Sequence, residues 1–162
     1  MKYIIYDTAL NSLHTLLLLQ KYYGVNESLF KGTKDQSLID VSPWLFRIDD
    51  KLKENLSNEM EVSLQFPLLF EAAGDIHMLA AHFRKFIYQT IDGREYFFRF
   101  YDPRVLEKFL PTCDKDQIRE FFGPVQYFMA EGKTPEEAIQ YWQEKGYLKW
   151  QAIPVKEVFG PC

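Results

Sequence analysis

Residues 86–104 read FIYQTIDGREYFFRFYDPR, which is the pattern of a β-hairpin followed by the first turn of a helix. Asp92-Gly93 is a two-residue turn, because both residues tolerate the positive φ that a type I′ turn requires. This turn places Tyr88 opposite Phe97 on the neighbouring strand. Both faces of the hairpin are largely apolar, so we expect layers of structure to cover it on both sides.

Arg99 is a lone cation on a strand that otherwise looks buried. A buried guanidinium needs an acidic partner, because an unpaired charge is costly to remove from water. Two candidates are Asp7, which follows a predicted first strand, and Asp102, which follows the hairpin directly. We therefore expect a structural ion pair between Arg99 and one of these carboxylates.

Asp102 and Pro103 are typical of a helix N-terminus. The aspartate accepts backbone hydrogen bonds as an N-cap, and proline suits the first helical position because no N–H bond is needed there. Arg104 then lies in the first turn, where the helix dipole disfavours a cation. A residue that local physics disfavours is a candidate for a contact elsewhere, although capping and ion pairing explain this stretch without any function.

The remaining pattern alternates strands and helices. It predicts a strand at Tyr3–Tyr6 and then a helix over about 9–22, whose wide arc of leucines should be covered on most sides. Asp75 and Asp114 have the sequence context of N-caps for two further helices. We therefore expect an α/β (α+β) fold: a small mixed β-sheet with a central hairpin, flanked by helices.

The last thirty or so residues predict a short appendage. Thr134 and Pro135 resemble a helix start, which predicts a helix over 135–145 followed by a strand-like stretch to Val155. This part is too small to fold alone. We therefore divide the chain into a domain at 1–130 and a C-terminal extension at 131–162 that packs on it.

Composition excludes several classes of protein. The chain has 162 residues and a net charge of −4, without any lysine or arginine cluster, so neither nucleic acid nor an anionic membrane is an expected partner. The apolar runs are too short for a signal peptide or a membrane span, which predicts a soluble, cytoplasmic protein. Cys113 and Cys162 fit no metal or redox spacing and are expected to be free thiols.

No catalytic, metal or cofactor motif is present in the sequence. It lacks GxSxG, HExxH, a phosphate-binding glycine loop and an EF-hand loop. His77 and His82 are five residues apart on a predicted helix, which separates them by about 140° and prevents shared metal binding. The sequence therefore predicts no cofactor and a protein that is not an enzyme.

Aromatic residues supply candidates for an exposed partner-binding surface, because Phe, Tyr and Trp make up 17% of the chain. The candidates outside the hairpin are Trp44, Tyr127, Tyr141, Trp142 and Trp150. Trp142 lies on the apolar stripe of the predicted last helix and is assigned to the core. Trp150, between Lys149 and Gln151, is the preferred exposed anchor.

The stretch around Arg99 and Arg104, together with other parts of the chain, is similar to the type VI secretion adaptor/chaperone family. That family was long catalogued only as a domain of unknown function. The resemblance covers roughly residues 2–130. It rests most on FFRFYDPRVLEKFLP at 97–111. The weaker pieces, which occur in the family's order, are YIIYDTAL at 3–10, LFKGT at 29–33, DVSPWLFRID at 40–49, AAHFRKF at 80–86 and FGPV at 122–125.

The resemblance implies a binding role without catalysis. Members of that family hold a secreted toxin effector in the bacterial cytosol and help to load it onto the spike protein VgrG. By this analogy the signature residues are Arg99, Tyr101, Asp102, Pro103 and Arg104, and no catalytic role is attached to them. Many relatives carry a larger, variable second lobe, whereas about thirty residues follow the shared region here.

Two alternatives from other classes stay open at the level of sequence. One is a hydrolase with an aspartate or histidine site in a cleft, which would need converging reactive side chains. The other is a structural subunit that forms homo-oligomers through an aromatic face, which light scattering would detect.

Overall fold

The computed structural model describes residues 1–57 and 67–155, apart from the side chains of Lys53, Leu56 and Ser57. The helices of this part are α1 Leu13–Tyr22, α2 Leu52–Ser57, α3 Ile76–Ile87, α4 Pro103–Phe109 and α5 Lys115–Phe122. The strands are β1 Lys2–Asp7, β2 Asn26–Ser28, β3 Pro43–Ile48, β4 Leu68–Ala72, β5 Tyr88–Ile91, β6 Arg94–Phe97, β7 Val125–Glu131, β8 Glu137–Glu144 and β9 Tyr147–Pro154. Two 3-10 helices cover Gln36–Val41 and Leu110–Thr112. No helix in the described part is long and apolar enough to cross a bilayer.

Seven strands form one sheet in the order β2-β3-β1-β4-β7-β8-β9. Every neighbouring pair is antiparallel. The predicted combination of helices with a sheet is confirmed, but the sheet is larger than expected, and none of its described strand pairs is parallel. Short turns suffice between antiparallel neighbours, which lets β7, β8 and β9 follow one another in a meander.

Helices cover both faces of the sheet, so the molecule has three layers. The alternation along β1 divides the core: Tyr3 and Ile5 belong to one buried cluster, and Ile4 and Tyr6 belong to the other. The first cluster contains the buried sides of α3, α4 and α5, and the second contains those of α1 and α2. Because β1 is central and buried on both faces, its run of apolar residues is continuous.

The hairpin forms around the predicted turn. Asp92 and Gly93 have φ values of 51° and 73°, and Tyr88 lies opposite Phe97. The expectation that both faces would be covered is wrong, because all residues of β6 are exposed. The hairpin continues directly from α3 and forms a separate two-stranded sheet. One aromatic contact on its inner side joins Phe97 to Phe30, with ring centroids 5.7 Å apart.

The three predicted aspartate caps are confirmed. Asp75 accepts from the backbone N–H of Met78 at 2.9 Å. Asp102 caps α4. Asp114 forms a reciprocal capping box with Gln117, in which both hydrogen bonds measure 2.9 Å. Local sequence determines these starts, because a carboxylate satisfies N–H groups that have no partner inside the helix.

The helix predicted over 135–145 is wrong, since this segment forms β8 and the turn after it. Lys145 and Gly146 have φ values of 55° and 86° and join β8 to β9 as a two-residue turn. β8 also pairs with β7 along its other side. Two ladders of backbone hydrogen bonds therefore outweigh the local helix-start signal of Thr134 and Pro135.

β8 and β9 continue the main sheet beyond the boundary predicted at residue 130, which falls inside β7. Residues 156–162 of the predicted extension, including Cys162, lie outside the described residues.

The helix predicted over 9–22 begins at Leu13, after Ser12 as N-cap. The prediction that other parts of the protein pack against most sides of this helix is wrong. Leu16 and Leu19 are buried against the sheet, but the side chains of Leu13 and Leu17 are 50% and 57% exposed. α1 belongs to an outer layer, so only one side of its leucine arc meets the core.

Candidate functional site

Arg99 pairs with Asp7 across the molecule. Asp7 lies at the end of β1 and is 8% exposed, whereas the side chain of Arg99 is 34% exposed. A second hydrogen bond reaches the same carboxylate from the backbone N–H of Ala9, at 3.0 Å. One of the two predicted partners of Arg99 is therefore confirmed, and the pair ties β1 to the chain that leads into α4.

Asp102 binds Arg104 instead of Arg99. Its carboxylate accepts the backbone N–H of Arg104 at 3.0 Å, the Nε of the same residue at 3.0 Å and its Nη2 at 2.6 Å. These hydrogen bonds from Arg104 lower the pKa of Asp102 despite its burial. Pro103 occupies the first turn of α4, as predicted. The arginine in the first turn is thus compensated locally by the capping carboxylate.

Four of the signature residues, Tyr101, Asp102, Pro103 and Arg104, border a cleft of about 150 Å³. The cleft lies between the end of β1 and the start of α4, and Tyr101, Leu10 and Glu131 contribute to its walls. Tyr101 is buried, which raises the pKa of its phenol well above the usual value. At neutral pH the cleft therefore presents a neutral phenol beside the Arg99–Asp7 and Arg104–Asp102 pairs.

A larger groove of about 440 Å³ lies beside this cleft, and Glu131 lines both. The groove runs between the end of α4 and the faces of β8 and β9. Trp150 lines it and is 65% exposed, as predicted for an anchor residue. Leu148 and Tyr141 add apolar surface to the same wall. We call this surface the Trp150 groove.

Two other candidate aromatics, Trp44 and Tyr127, do not join this site. Trp44 is half-buried on β3, where it packs against the second core cluster and its indole N–H donates to the carbonyl of Ile39 at 3.3 Å. Strands β1, β4, β7 and β8 separate it from Trp150. Tyr127 is half-buried and donates to Glu71 at 2.8 Å.

Tyr141 and Trp142 do not lie where the sequence predicts them. The sequence placed Trp142 in the core on the stripe of a helix, whereas Tyr141 was a candidate for exposure. In the strand, Tyr141 is 6% exposed and belongs to the main core, and Trp142 points to the other face, half-buried. The difference follows from the change of period, since neighbouring residues of a strand face opposite sides.

A buried ionic network at Glu27 is absent from the sequence-based predictions. Glu27 is 6% exposed and accepts a hydrogen bond from Arg84 at 2.6 Å and another from His77. Burial alone would raise the pKa of Glu27, but the hydrogen bonds from Arg84 and His77 outweigh it and lower the pKa. Only the register of β2 against β3 places Glu27 beside α3.

Within residues 1–57 and 67–155, no three histidine, cysteine or acidic side chains cluster as metal ligands would. Cys113 is a free thiol, and burial raises its pKa to about 11, so it is protonated at neutral pH. His82 donates from Nε2 to the carbonyl of Phe121 at 2.9 Å, away from His77 and its carboxylate partner.

Residues 2–120 match a protein family described as a domain of unknown function, DUF4123. The chain belongs to this family. The DUF4123 match includes β1, the hairpin, α4 and every signature residue, and it ends within α5. Trp150 and strands β7, β8 and β9 lie beyond the matched range, although they complete the same sheet. No curated protein and no solved structure matches the chain.

Proposed function

We propose that this protein is a non-enzymatic adaptor that binds a type VI secretion effector in the bacterial cytosol. It would help to load that effector onto the VgrG spike. Membership of DUF4123 supports the proposal only in combination with the resemblance of FRFYDPR and its companion motifs to the adaptor family. The effector would be a secreted toxin.

The observation that carries the proposal is the Trp150 groove. Monomeric proteins seldom expose a tryptophan beside other apolar side chains unless that surface binds a partner. Here Trp150 is 65% exposed above Leu148 and Tyr141, and glutamates surround this apolar floor. An apolar centre with a polar rim is the usual anatomy of a protein–protein interface.

The signature residues act in this proposal by positioning the groove. The Arg99–Asp7 pair ties the segment before α4 to the central strand, and Asp102 starts α4. α4 then carries Glu107 to the wall of the groove, and Pro111 follows in the adjoining 3-10 helix. Binding is non-covalent: the groove would cover an apolar segment of the effector and keep it competent for loading.

A pull-down from the native host tests the proposed function. The tagged chain should recover a secreted toxin together with VgrG. Trp150→Ala should reduce recovery of the toxin by about tenfold or more, because a central aromatic anchor contributes about 2 kcal/mol or more to an interface. Leu17→Ala is the control, since Leu17 is 57% exposed, similar to Trp150, but lies on α1. Recovery of neither protein by the unaltered chain would refute the proposal.

A further inference from the structure

β9 is the last strand of the main sheet, and no other described strand pairs with its outer side. It is eight residues long, whereas β2, at the opposite edge, has three residues. A long edge strand exposes backbone donors and acceptors that can pair with another extended chain. The edge of β9 is therefore chemically suited to accept a strand.

The register of the β8–β9 hairpin identifies the residues that point outward. The two-residue turn makes Glu144 and Tyr147 a hydrogen-bonded pair, and such pairs alternate along the ladder. The bond from Val155 N–H to the Glu136 carbonyl, at 2.8 Å, fits this alternation. The outward N–H and carbonyl groups therefore belong to a set of alternate residues: Leu148, Trp150 and Ala152.

The same three residues line the Trp150 groove with their side chains. Alternate residues of a strand face the same side, so the outward backbone groups and the apolar wall are in register. A strand added to β9 would gain main-chain hydrogen bonds and bury apolar side chains against Trp150 together. This combination is how strand addition obtains both affinity and specificity.

The charge around the groove selects the partner. Glu107, Glu131 and Glu137 line it with a single cation, Lys133. Among the described residues, none of these three carboxylates has an ion-pair partner. A second copy of this chain paired edge to edge would bring two acidic grooves together, which like-charge repulsion opposes.

We propose that the β9 edge binds an extended segment of the partner by strand addition. The segment has apolar residues at the central alternate positions that face Trp150, and it carries lysine or arginine at the ends of the same face, beside the glutamates of the groove. The identification of that partner as an effector rests on the proposed function. The strand addition itself follows from three observations: an edge that no other described strand pairs with, the register and the acidic groove.

A designed peptide tests the site without any effector. The probe is a peptide of about eight residues that has valine at the central positions of one strand face and lysine at the two ends of that face, and its counterpart with glutamate in place of lysine is the control. Amide hydrogen exchange is followed by NMR on the full chain. The lysine peptide should slow exchange at Leu148, Trp150 and Ala152 by about tenfold or more, while the glutamate peptide should not.

Ala152→Pro isolates the backbone contribution. It removes one outward N–H and leaves the bonds to β8 intact, because proline is tolerated at the outer side of an edge strand. Peptide affinity should fall by about tenfold or more, through the lost bond and the obstructed approach of the added strand. Ala152→Thr keeps the N–H and is the matched control. An unchanged thermal midpoint in both variants shows that the fold is intact.

Three results would overturn the inference. The first is protection by the peptide elsewhere, on α1 or on the β5–β6 hairpin. The second is slow exchange at the three outward amides in the isolated monomer. The third is protection that grows with protein concentration alone, which would indicate a second copy as the occupant.

The strand addition at β9 and the adaptor function can be refuted independently of each other. If Ala152→Pro still captures the toxin and VgrG fully, strand addition is wrong and the adaptor function stands. If the peptide binds as expected but the pull-down recovers neither protein, the site stands and the adaptor function is wrong.

Discussion

At the level of single residues, each of two buried carboxylates is paired with a specific basic side chain. Asp7 is buried and binds Arg99, while Glu27 is buried and binds Arg84 and His77. A carboxylate in such a place needs hydrogen bonds and a cation, since its lost hydration is not otherwise replaced. These pairs join segments far apart in the chain, so they depend on the completed fold.

Arg99→Ala should destabilise the protein by about 2 kcal/mol, measured by urea unfolding. The value lies below the 3–5 kcal/mol typical of a fully buried pair, because Arg99 is 34% exposed and water can approach Asp7. Arg94→Ala, in the exposed strand β6, is the control and should leave the midpoint unchanged. An unchanged midpoint for Arg99→Ala would show that the N–H of Ala9 and water satisfy Asp7.

His82 should make stability depend on pH. Burial against Phe83 and Phe86 lowers the pKa of His82, although its bond to the Phe121 carbonyl opposes this. The unfolded chain therefore binds a proton at this residue more readily than the folded chain. Stability should fall as pH drops below about 6.5, the ordinary imidazole pKa.

The variant His82→Gln keeps a donor for the Phe121 carbonyl but does not titrate. Its free energy of unfolding, followed by urea titrations between about pH 7 and pH 5, should change less than that of the unaltered protein. This window lies above the range in which Glu27 titrates, because that residue loses its contribution only as pH falls below 4.5. Equal slopes for both proteins would contradict the assignment.

At the scale of elements, periodicity is informative only when the neighbours of an element are known. The leucines of α1 occupy most of its surface, yet the sheet covers one side and leaves Leu13 and Leu17 exposed. β8 is the opposite case, because a helix-start signal precedes a segment that pairs on both sides as a strand.

Substitutions on the two sides of α1 should differ in their effect on the stability of the protein. Leu16→Ala should cost about 3 kcal/mol, because Leu16 is 3% exposed in the second core cluster and its truncation leaves a cavity. Leu17→Ala should change stability by no more than about 0.5 kcal/mol, since Leu17 is 57% exposed. Thermal or urea unfolding measures both. Equal costs would show that another surface covers α1 in solution.

At the scale of the whole molecule, the main sheet extends beyond the region that defines the family. The match ends at residue 120, while β7, β8 and β9 complete the sheet after it. Phe128 on β7 and Tyr141 on β8 are opposite one another and both belong to the main core. The C-terminal strands therefore share the core of the matched domain.

A chain that ends at Gly132 should lose its cooperative unfolding transition or aggregate. Without β8, the long apolar strand β7 becomes an open edge and the buried contacts of Tyr141 disappear. Size-exclusion chromatography and urea unfolding detect either outcome. A monomer with an unchanged midpoint would instead show that the residues after Gly132 are a dispensable appendage.

Features that depend on near neighbours in the chain were predictable without the fold. The turn at Asp92-Gly93 follows from residues that tolerate positive φ, and the caps at Asp75, Asp102 and Asp114 follow from carboxylates beside free N–H groups. The exposure of Trp150 was also predictable, since polar residues flank it. In each case the physical cause acts over a few residues.

Four features became known only from the complete fold: the order of the strands, the side of α1 that is buried, the choice of Asp7 as the partner of Arg99, and the strand at 137–144. Each of these depends on contacts between segments distant in sequence, whose hydrogen bonds and buried area can outweigh local preference. The groove at Trp150 belongs to the same group. Its walls come from α4 and from β7, β8 and β9, which meet only when the sheet is complete.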